Sequence, residues 1–446
     1  MVTWEETALT GWGRTTRHKT PACAPPDETA AAAALADCGG KTVLPHGGGR
    51  SYGDAALNGE GRSLLTGRMN RVLDFDAESG RLVCEPGVTF RQLLDEFLPK
   101  GYLFPVSPGT AFTTIGGAVA NDVHGKNHDK VGSFGNHLLW VDLLLPSGEC
   151  RRVSPEDDAE LFRATVGGIG LTGLMLRICF RMLRVPSAHM EVRERRMTDL
   201  DAFMAGFEEC RKTVSYSVGW IDAMARGRRM GRGILETAEF APKSPAPHES
   251  APPRNFPIDL PSMTLNALTV RLFNELYYRR IPAAGRDRVV PVGRFFYPLD
   301  AIGHWNRIYG RRGFYQFQCV IPNKYAWEGI PALLETVSAS GRGSFLAVLK
   351  TLGGSSLGHL SFPMYGYTLA LDFPRRRRVE DLLRKLEGIT RDHGGRIYLA
   401  KDALLSPEGF REMYPSLASF QAVLQRVDPD RRFDSDMARR LRVRDG

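Results

Sequence analysis

Glycine placement constrains this chain more than any other feature. Three segments between residues 45 and 137 combine glycine with small polar residues at a density that interrupts both helix and strand. The first is Pro45-His46-Gly47-Gly48-Gly49-Arg50-Ser51-Tyr52-Gly53-Asp54, preceded by the strand-like KTVLP at 41–45. Three successive glycines after a strand leave backbone N–H groups uncovered and accept positive φ, so the loop can form a concavity for a pyrophosphate. Alone, it would read as a flexible turn. It is followed, however, by Ser107-Pro108-Gly109-Thr110 and by Thr113 through Asn127, where small residues let backbone approach a flat ligand. Gly132-Ser133-Phe134-Gly135-Asn136-His137 then leads into the strand-like LLWVDLLL at 138–145. A further cluster, Gly168-Ile169-Gly170-Leu171-Thr172-Gly173, matches G-x-G-x-x-G letter for letter. The run before it, 157–165, reads as helix, and no βαβ unit is evident, so a nicotinamide Rossmann site is rejected there.

Composition excludes several classes. With 446 residues, 43% of them hydrophobic and 24% charged, the chain can bury a sizeable core and is not disordered. Length alone suggests about three units. No apolar run approaches the ~20 residues needed to span a bilayer. The first twenty residues lack a signal-peptide core, so export by that route is not expected. Seven scattered cysteines without a C-x-x-C pair argue against zinc or a disulfide framework and for a reducing compartment, each thiol acting as a small core residue. The net charge of +9 comes from 11 Lys and 48 Arg against 50 acidic residues. The arginine bias reflects first a GC-rich coding sequence; the surplus charge would also suit an anionic membrane or a phosphorylated substrate. The arginines are spread along the chain without a nucleic-acid motif, so no nucleic acid is expected as a partner.

Local patterns predict helices at 28–37, 89–98 (N-capped by Thr89) and 379–392, and strands at 62–66, 71–75, 81–85, 314–321 and 366–373. The tail, 401–446, reads as helical and arginine-rich. Such a mixture indicates α+β architecture. Residues 241–262 carry many prolines and little periodicity, as a mobile loop or lid does.

Taken together, the glycine segments resemble the FAD-binding domain of the vanillyl-alcohol-oxidase type of flavoprotein. Longer stretches sharpen the match: TGWGRT (10–15), HGGGRSYGDAALN (46–58), HGKNHDKVGSFGNHL (124–138), GWIDAMARGRRMGRGIL (219–235), FYPLDAIGHWNRIYGRRGFYQFQCVIP (296–322), LSFPMYGYTLALDFP (360–374), IYLAKD (397–402) and DPDRRFDSDMARRL (428–441). These resemble the decaprenylphosphoryl-β-D-ribose 2-oxidase family, the flavin-dependent half of a ribose-to-arabinose epimerase pair. The resemblance implies an FAD-binding domain from residues 1–186, a sheet-plus-helix substrate domain from 187–395, and a segment, 396–446, that returns to the FAD domain. It implies oxidation of the 2-hydroxyl of a polyprenyl-phosphoryl-β-D-ribose to the 2-keto sugar by hydride transfer to flavin. An NADH-dependent keto-sugar reductase would take the product, and a membrane quinone would reoxidise the flavin. A cytoplasmic, peripherally membrane-associated location fits, with export alongside a partner left open. The alternatives are an oxygen-using FAD oxidase of a soluble sugar or alditol, and a flavin-fold binding protein without turnover.

The resemblance assigns residues as follows. FAD would be held by Gly47, Gly48, Gly49, Arg50, Ser51, Tyr52 and Gly53, by Gly109, Thr110, Thr114, Gly116 and Gly117, by Asn121, His124, Gly125, Asn127, Ser133 and Asn136, and by Gly170. Many relatives carry a flavin-bonded histidine in the first glycine loop; Tyr52 takes that place here, which implies non-covalent FAD. The chemistry needs a base for the hydroxyl proton. Lys401, in AKD, leads for that role or for anchoring the reacting hydroxyl, with Tyr52 and His124 beside the ring. Lys350, Lys126, Gln316, Gln318, Thr368 and Lys401 would meet the substrate. Gln316 and Gln318 alternate with Phe317, so both face one side of a strand. No metal is expected. Ala370 stands where some members carry cysteine, a loss of thiol reactivity rather than of turnover. The run Arg375–Arg378 reads as a solvated face that could also meet lipid phosphates.

Overall fold

The computed structural model describes residues 2–244, 254–261, 264–343, 345–354 and 356–445. Most of the expected local elements form, and each has a visible cause. Thr89 caps the helix Phe90–Phe97 in a reciprocal capping box with Gln92, and Asp27 caps Glu28–Ala36. The helix before the G-x-G-x-x-G match is Ala159–Thr165, and the glycines lead from it into the strand Leu174–Arg181. That is helix-to-strand order, the reverse of a dinucleotide fingerprint. In the tail, helices Pro407–Met413, Leu417–Val427 and Asp436–Arg440 form, while residues 428–435 are irregular. The Pro-rich stretch is described only outside 245–253 and 262; within it Arg254–Asn255 pairs in parallel with Ile302–Gly303.

Three sheets carry the fold. The first orders Glu5–Thr10, Arg17–Cys23, Arg62–Leu65 and Val43–His46, with its last two pairings parallel. The second is antiparallel and orders Val72–Asp76, Arg81–Cys84, Leu174–Arg181, Leu138–Leu144 and Cys150–Val153. The third has eight antiparallel strands: Arg286–Pro291, His189–Met197, Gly233–Phe240, Tyr216–Ile221, Ala347–Leu352, Gly366–Pro374, Phe314–Pro322 and Arg396–Ile397. Helices Leu200–Thr213, Ala326–Ser340 and Val379–Asp392 pack on this large sheet. They bury Phe203 and Phe207, Leu333 and Val337, and Leu383 and Leu386. Apolar residues at i, i+3 and i+4 make one stripe of each helix fit a sheet face. The other face of the large sheet stays open to the glycine loops.

The tail returns to the first sheet. Phe433 bridges Val43 in parallel, and Arg440 holds Asp54, at the end of the first glycine loop, together with Asp402. All seven cysteines are free thiols; five are buried, but Cys150 is exposed at the start of a sheet-edge strand and is not a core residue. No helix among the described residues is long and apolar enough to cross a membrane.

Candidate active site

A cavity of about 660 Å³ lies between the glycine loops and the open face of the large sheet. Its first wall is backbone. Gly47 to Tyr52 line it with Ser107 to Thr110, Phe112 to Thr114, Gly116, Gly117, Asn121, His124 to Lys126, and Ile169 with Gly170. Glycine is required where these loops meet: a Cβ on Gly48 would stand 2.6 Å from the Phe112 carbonyl oxygen. The amides of Gly48, Gly49, Arg50 and Ser51 donate to no protein acceptor among the described residues. Consecutive free N–H groups on a concave loop suit an anion such as a pyrophosphate. Arg50 Nε, Asn121 Oδ1 and His124 Nδ1 are also buried without partners on this wall. A polar ligand lying along the wall would satisfy all of them, so the residues present fit FAD.

The second wall is the sheet face. Gln318 lies opposite Ala370, and Ala370 opposite Val348; Gln316 lies opposite Asp372, and Lys350 opposite Thr368. Residues opposite one another across an antiparallel pair share a face, and alternation carries that face along each strand. Gln318 Nε2 lies 2.9 Å from His124 Nε2 and 3.2 Å from Thr368 Oγ1. With the amide donating to both, the imidazole proton sits on Nδ1. Gln316 Nε2 donates to Asp372 (2.6 Å), which also accepts from the Tyr309 hydroxyl (2.9 Å).

Lys401 joins the two walls. Its Nζ lies 3.9 Å from the centroid of the Tyr52 ring. The turn that carries it is tied to the glycine loop by the Tyr52 N–H donating to the Ala400 carbonyl (2.9 Å). Burial pushes its ammonium down to about 7; Asp372 opposes the shift and Lys350 adds to it. Burial likewise brings Lys350 and Lys126 down to about 8. Asp372 moves the other way, pushed up to about 7 by burial although Gln316, Tyr309 and Lys401 favour its charge. His124 is held well below the usual imidazole range by burial and by Lys350, so it is neutral at physiological pH. Lys126 donates to the Phe295 carbonyl and sits 4.0 Å from the Phe295 ring centroid.

Of the residues singled out in the sequence, the cavity gathers all but five. Gly53, Asn127, Ser133, Asn136 and Thr368 stand behind its lining. Gly53 is pressed against the tail, where a Cβ would fall 1.8 Å from the Asp402 carbonyl oxygen. Asn127 donates to the Pro105 carbonyl (2.9 Å). Ser133 and Asn136 cap their own turn. Thr368 is covered by Gln318. These five shape the wall rather than form it. Motif and spacing do not single out Asp372, Tyr309, Trp12, Asp300, Trp305 or Tyr398. Asp372 is nonetheless within reach, because it follows Thr368 and Ala370 at two-residue steps in GYTLALDFP. Trp12, whose ring lies 4.4 Å from the Arg50 guanidinium, and Trp305, 5.8 Å from Trp12, fall inside the matched segments 10–15 and 296–322, but nothing in either segment alone places them together.

Comparison with known proteins agrees with this geometry. Residues 22–154 match the FAD binding domain family, and residues 362–441 match the D-arabinono-1,4-lactone oxidase family. Fold and site therefore define an FAD-dependent oxidoreductase of the vanillyl-alcohol-oxidase type. The chain is 36% identical to the decaprenylphosphoryl-β-D-ribose oxidase of Mycolicibacterium smegmatis, covering 98% of this chain and 97% of that one. The chain belongs to the decaprenylphosphoryl-β-D-ribose oxidase family. It is also 33% identical to an uncharacterized protein of Streptomyces coelicolor, over 79% of this chain and 100% of that one. With the D-lactate dehydrogenase of Anaerostipes hadrus it shares 25% identity over 36% of this chain and 35% of the other.

Proposed function

We propose that this protein oxidises the 2-hydroxyl of a polyprenyl-phosphoryl-β-D-ribose to the 2-keto sugar. The observation that carries the reading is the polar set Lys401, Gln316, Gln318 and Lys350 facing the glycine wall and its His124 across one cavity. Bound FAD supplies the hydride acceptor. Gly47–Ser51, Gly109, Thr110, Gly116, Gly117 and Asn121 hold the cofactor, and Tyr52 packs beside Lys401 without a covalent link to the ring. Neutral Lys401 takes the hydroxyl proton at Nζ, a task suited to an amine poised near neutrality. Gln318, oriented by donating to His124 and Thr368, presents its Oε1 to accept from a sugar hydroxyl. Lys350 supplies a cation within the same cavity. The large sheet with its helices, 187–395, forms the substrate domain; 1–186 and the returning segment 396–446 hold the cofactor, although Arg396–Ile397 still pairs with the large sheet. The keto sugar passes to an NADH-dependent reductase, a quinone reoxidises the flavin, and the chain works at the cytoplasmic membrane surface.

Anaerobic mixing of the FAD-loaded protein with a panel of pentoses tests the reading. The flavin absorbance should bleach with polyprenyl-phosphoryl ribose in detergent and stay unchanged with free ribose and alditols. Bleaching by free alditols, with peroxide released on admitting oxygen, would instead make it a soluble-polyol oxidase.

A further inference from the structure

Helix Ala267–Arg279 presents one side to the protein and another away from it. On the inner side Val270 and Asn274 are buried, Asn274 donating to Asp222 (2.7 Å). Tyr277 lies 4.7 Å from Trp220 by ring centroids, and both line the cavity. On the outer side Leu268, Leu272 and Leu276 are 76%, 59% and 63% exposed. Their four-residue spacing sets them in one stripe along the helix. Single exposed leucines are ordinary; a stripe of three on one helix at a cavity rim marks an interaction surface. Ile258 and Ile302 are also exposed, and Ile302 lines the cavity with Asn255 and Gly303.

The surrounding charge selects the occupant. Among the described residues the nearby acidic side chains are already matched: Glu275 pairs with Arg232 and Arg279, and Asp259 with Arg14. Arg271 is exposed on the same helix, and Arg254 is exposed on the short strand that pairs with Ile302–Gly303 at the cavity mouth. Neither arginine forms an ion pair among the described residues, and exposed leucines with such arginines nearby complement a surface with anionic headgroups above acyl chains. A 13-residue helix rises only ~20 Å, too short to span a bilayer but suited to lying in its interface.

We propose that helix Ala267–Arg279 docks the cavity mouth on an anionic lipid bilayer. Leu268, Leu272 and Leu276 enter the acyl boundary while Arg254 and Arg271 meet lipid phosphates. The inference rests on the lipid-linked substrate proposed above: a mouth held in the interface receives a polyprenyl chain without first drawing it through water.

Co-sedimentation of the full-length, FAD-loaded protein with phosphatidylglycerol/phosphatidylcholine vesicles tests it. Replacing all three leucines (L268S/L272S/L276S) should lower the bound-to-free ratio by at least about tenfold. R254Q/R271Q should lower it several-fold on anionic vesicles and little on pure phosphatidylcholine, and added salt should mimic that change. The triple-leucine variant should still bleach with detergent-solubilised substrate, which shows that it folds. Unchanged vesicle binding by the triple variant would overturn the proposal. So would a dimer seen by light scattering that the leucine substitutions split, since a second copy would then cover the face. Vesicle binding needs no turnover, so the two readings fail separately. Binding without bleaching would support the docking face and overturn the substrate; bleaching in detergent without binding would do the reverse.

Discussion

In the proposed reaction Lys401 is the amine that takes the hydroxyl proton. Burial brings it to about 7, and Asp372, buried beneath Gln316 and pushed up to about 7, shares its electrostatics. Below that range Lys401 keeps its proton and cannot accept another; above it the free amine is available. kcat/KM should therefore rise with pH, with an apparent value near 7 that belongs to the coupled pair, and level off above it. Lys401→Met should lower kcat by about 10²–10⁴-fold while FAD stays bound. Lys401→Arg should fail to restore it, because a guanidinium does not deprotonate at these pH values. Recovery by arginine would make Lys401 an anchor instead of a base. Tyr52 gives a second test at this scale, since a phenol ring in the glycine loop offers no histidyl link to flavin. Acid precipitation should leave the yellow colour wholly in the supernatant. Lys401 is legible in the sequence because lysine is scarce here, 11 against 48 arginines, and it falls in a matched motif. The polarity of its surroundings is not: Asp372, held by Tyr309, acts on it through strand register and packing, which a linear motif does not express.

Local signals specify the secondary elements well, while their assembly into walls depends on long-range contacts. Alternation in FYQFQCVIP and GYTLALDFP marks both the strands and the face that meets the cavity. The capping box at Thr89 fixes a helix start within one residue. By contrast, the rim built by 296–305 and Trp12 joins segments nearly three hundred residues apart, and no spacing rule anticipates that. The glycines separate the two regimes. Gly388 lies inside the helix Val379–Asp392, and a Cβ added there would meet nothing within 4 Å, so Gly388→Ala should stabilise by about 0.5–1 kcal/mol through helix propensity alone. Gly48→Ala meets the Phe112 carbonyl oxygen at 2.6 Å and must displace one loop from the other. It should lower FAD occupancy sharply, measured by the flavin-to-protein absorbance ratio, with a much smaller change in far-UV circular dichroism.

At the scale of the molecule, the return of the tail holds the cofactor wall closed. Arg440 donates to both oxygens of Asp54 (2.7 and 2.8 Å), to Asp402 (2.8 Å) and to the Leu405 carbonyl (2.9 Å). One guanidinium thus ties the end of the first glycine loop to the segment that bears Lys401, across 386 positions of sequence to Asp54 and 38 to Asp402. Both carboxylates are buried, and removing their shared cation leaves two charges without compensation. Arg440→Met should cost about 3 kcal/mol or more in stability. The pH dependence gives the sign. Burial already raises Asp54 above the usual carboxylate range, with Arg440 opposing the shift. Without Arg440 the folded-state value climbs further. The fold then binds more protons than the unfolded chain from about pH 4 up to that value, and stability falls as pH rises through this window. The Tm deficit of the variant should accordingly be larger at pH 8 than at pH 5. Adding Asp54→Asn removes one of the two stranded charges and should recover part of it. FAD should dissociate faster from Arg440→Met than from the parent, while the fraction still loaded keeps its kcat. An equal Tm deficit at both pH values would instead mean that Arg440 acts through packing, with the tail held by Phe433 and Met437 in the core.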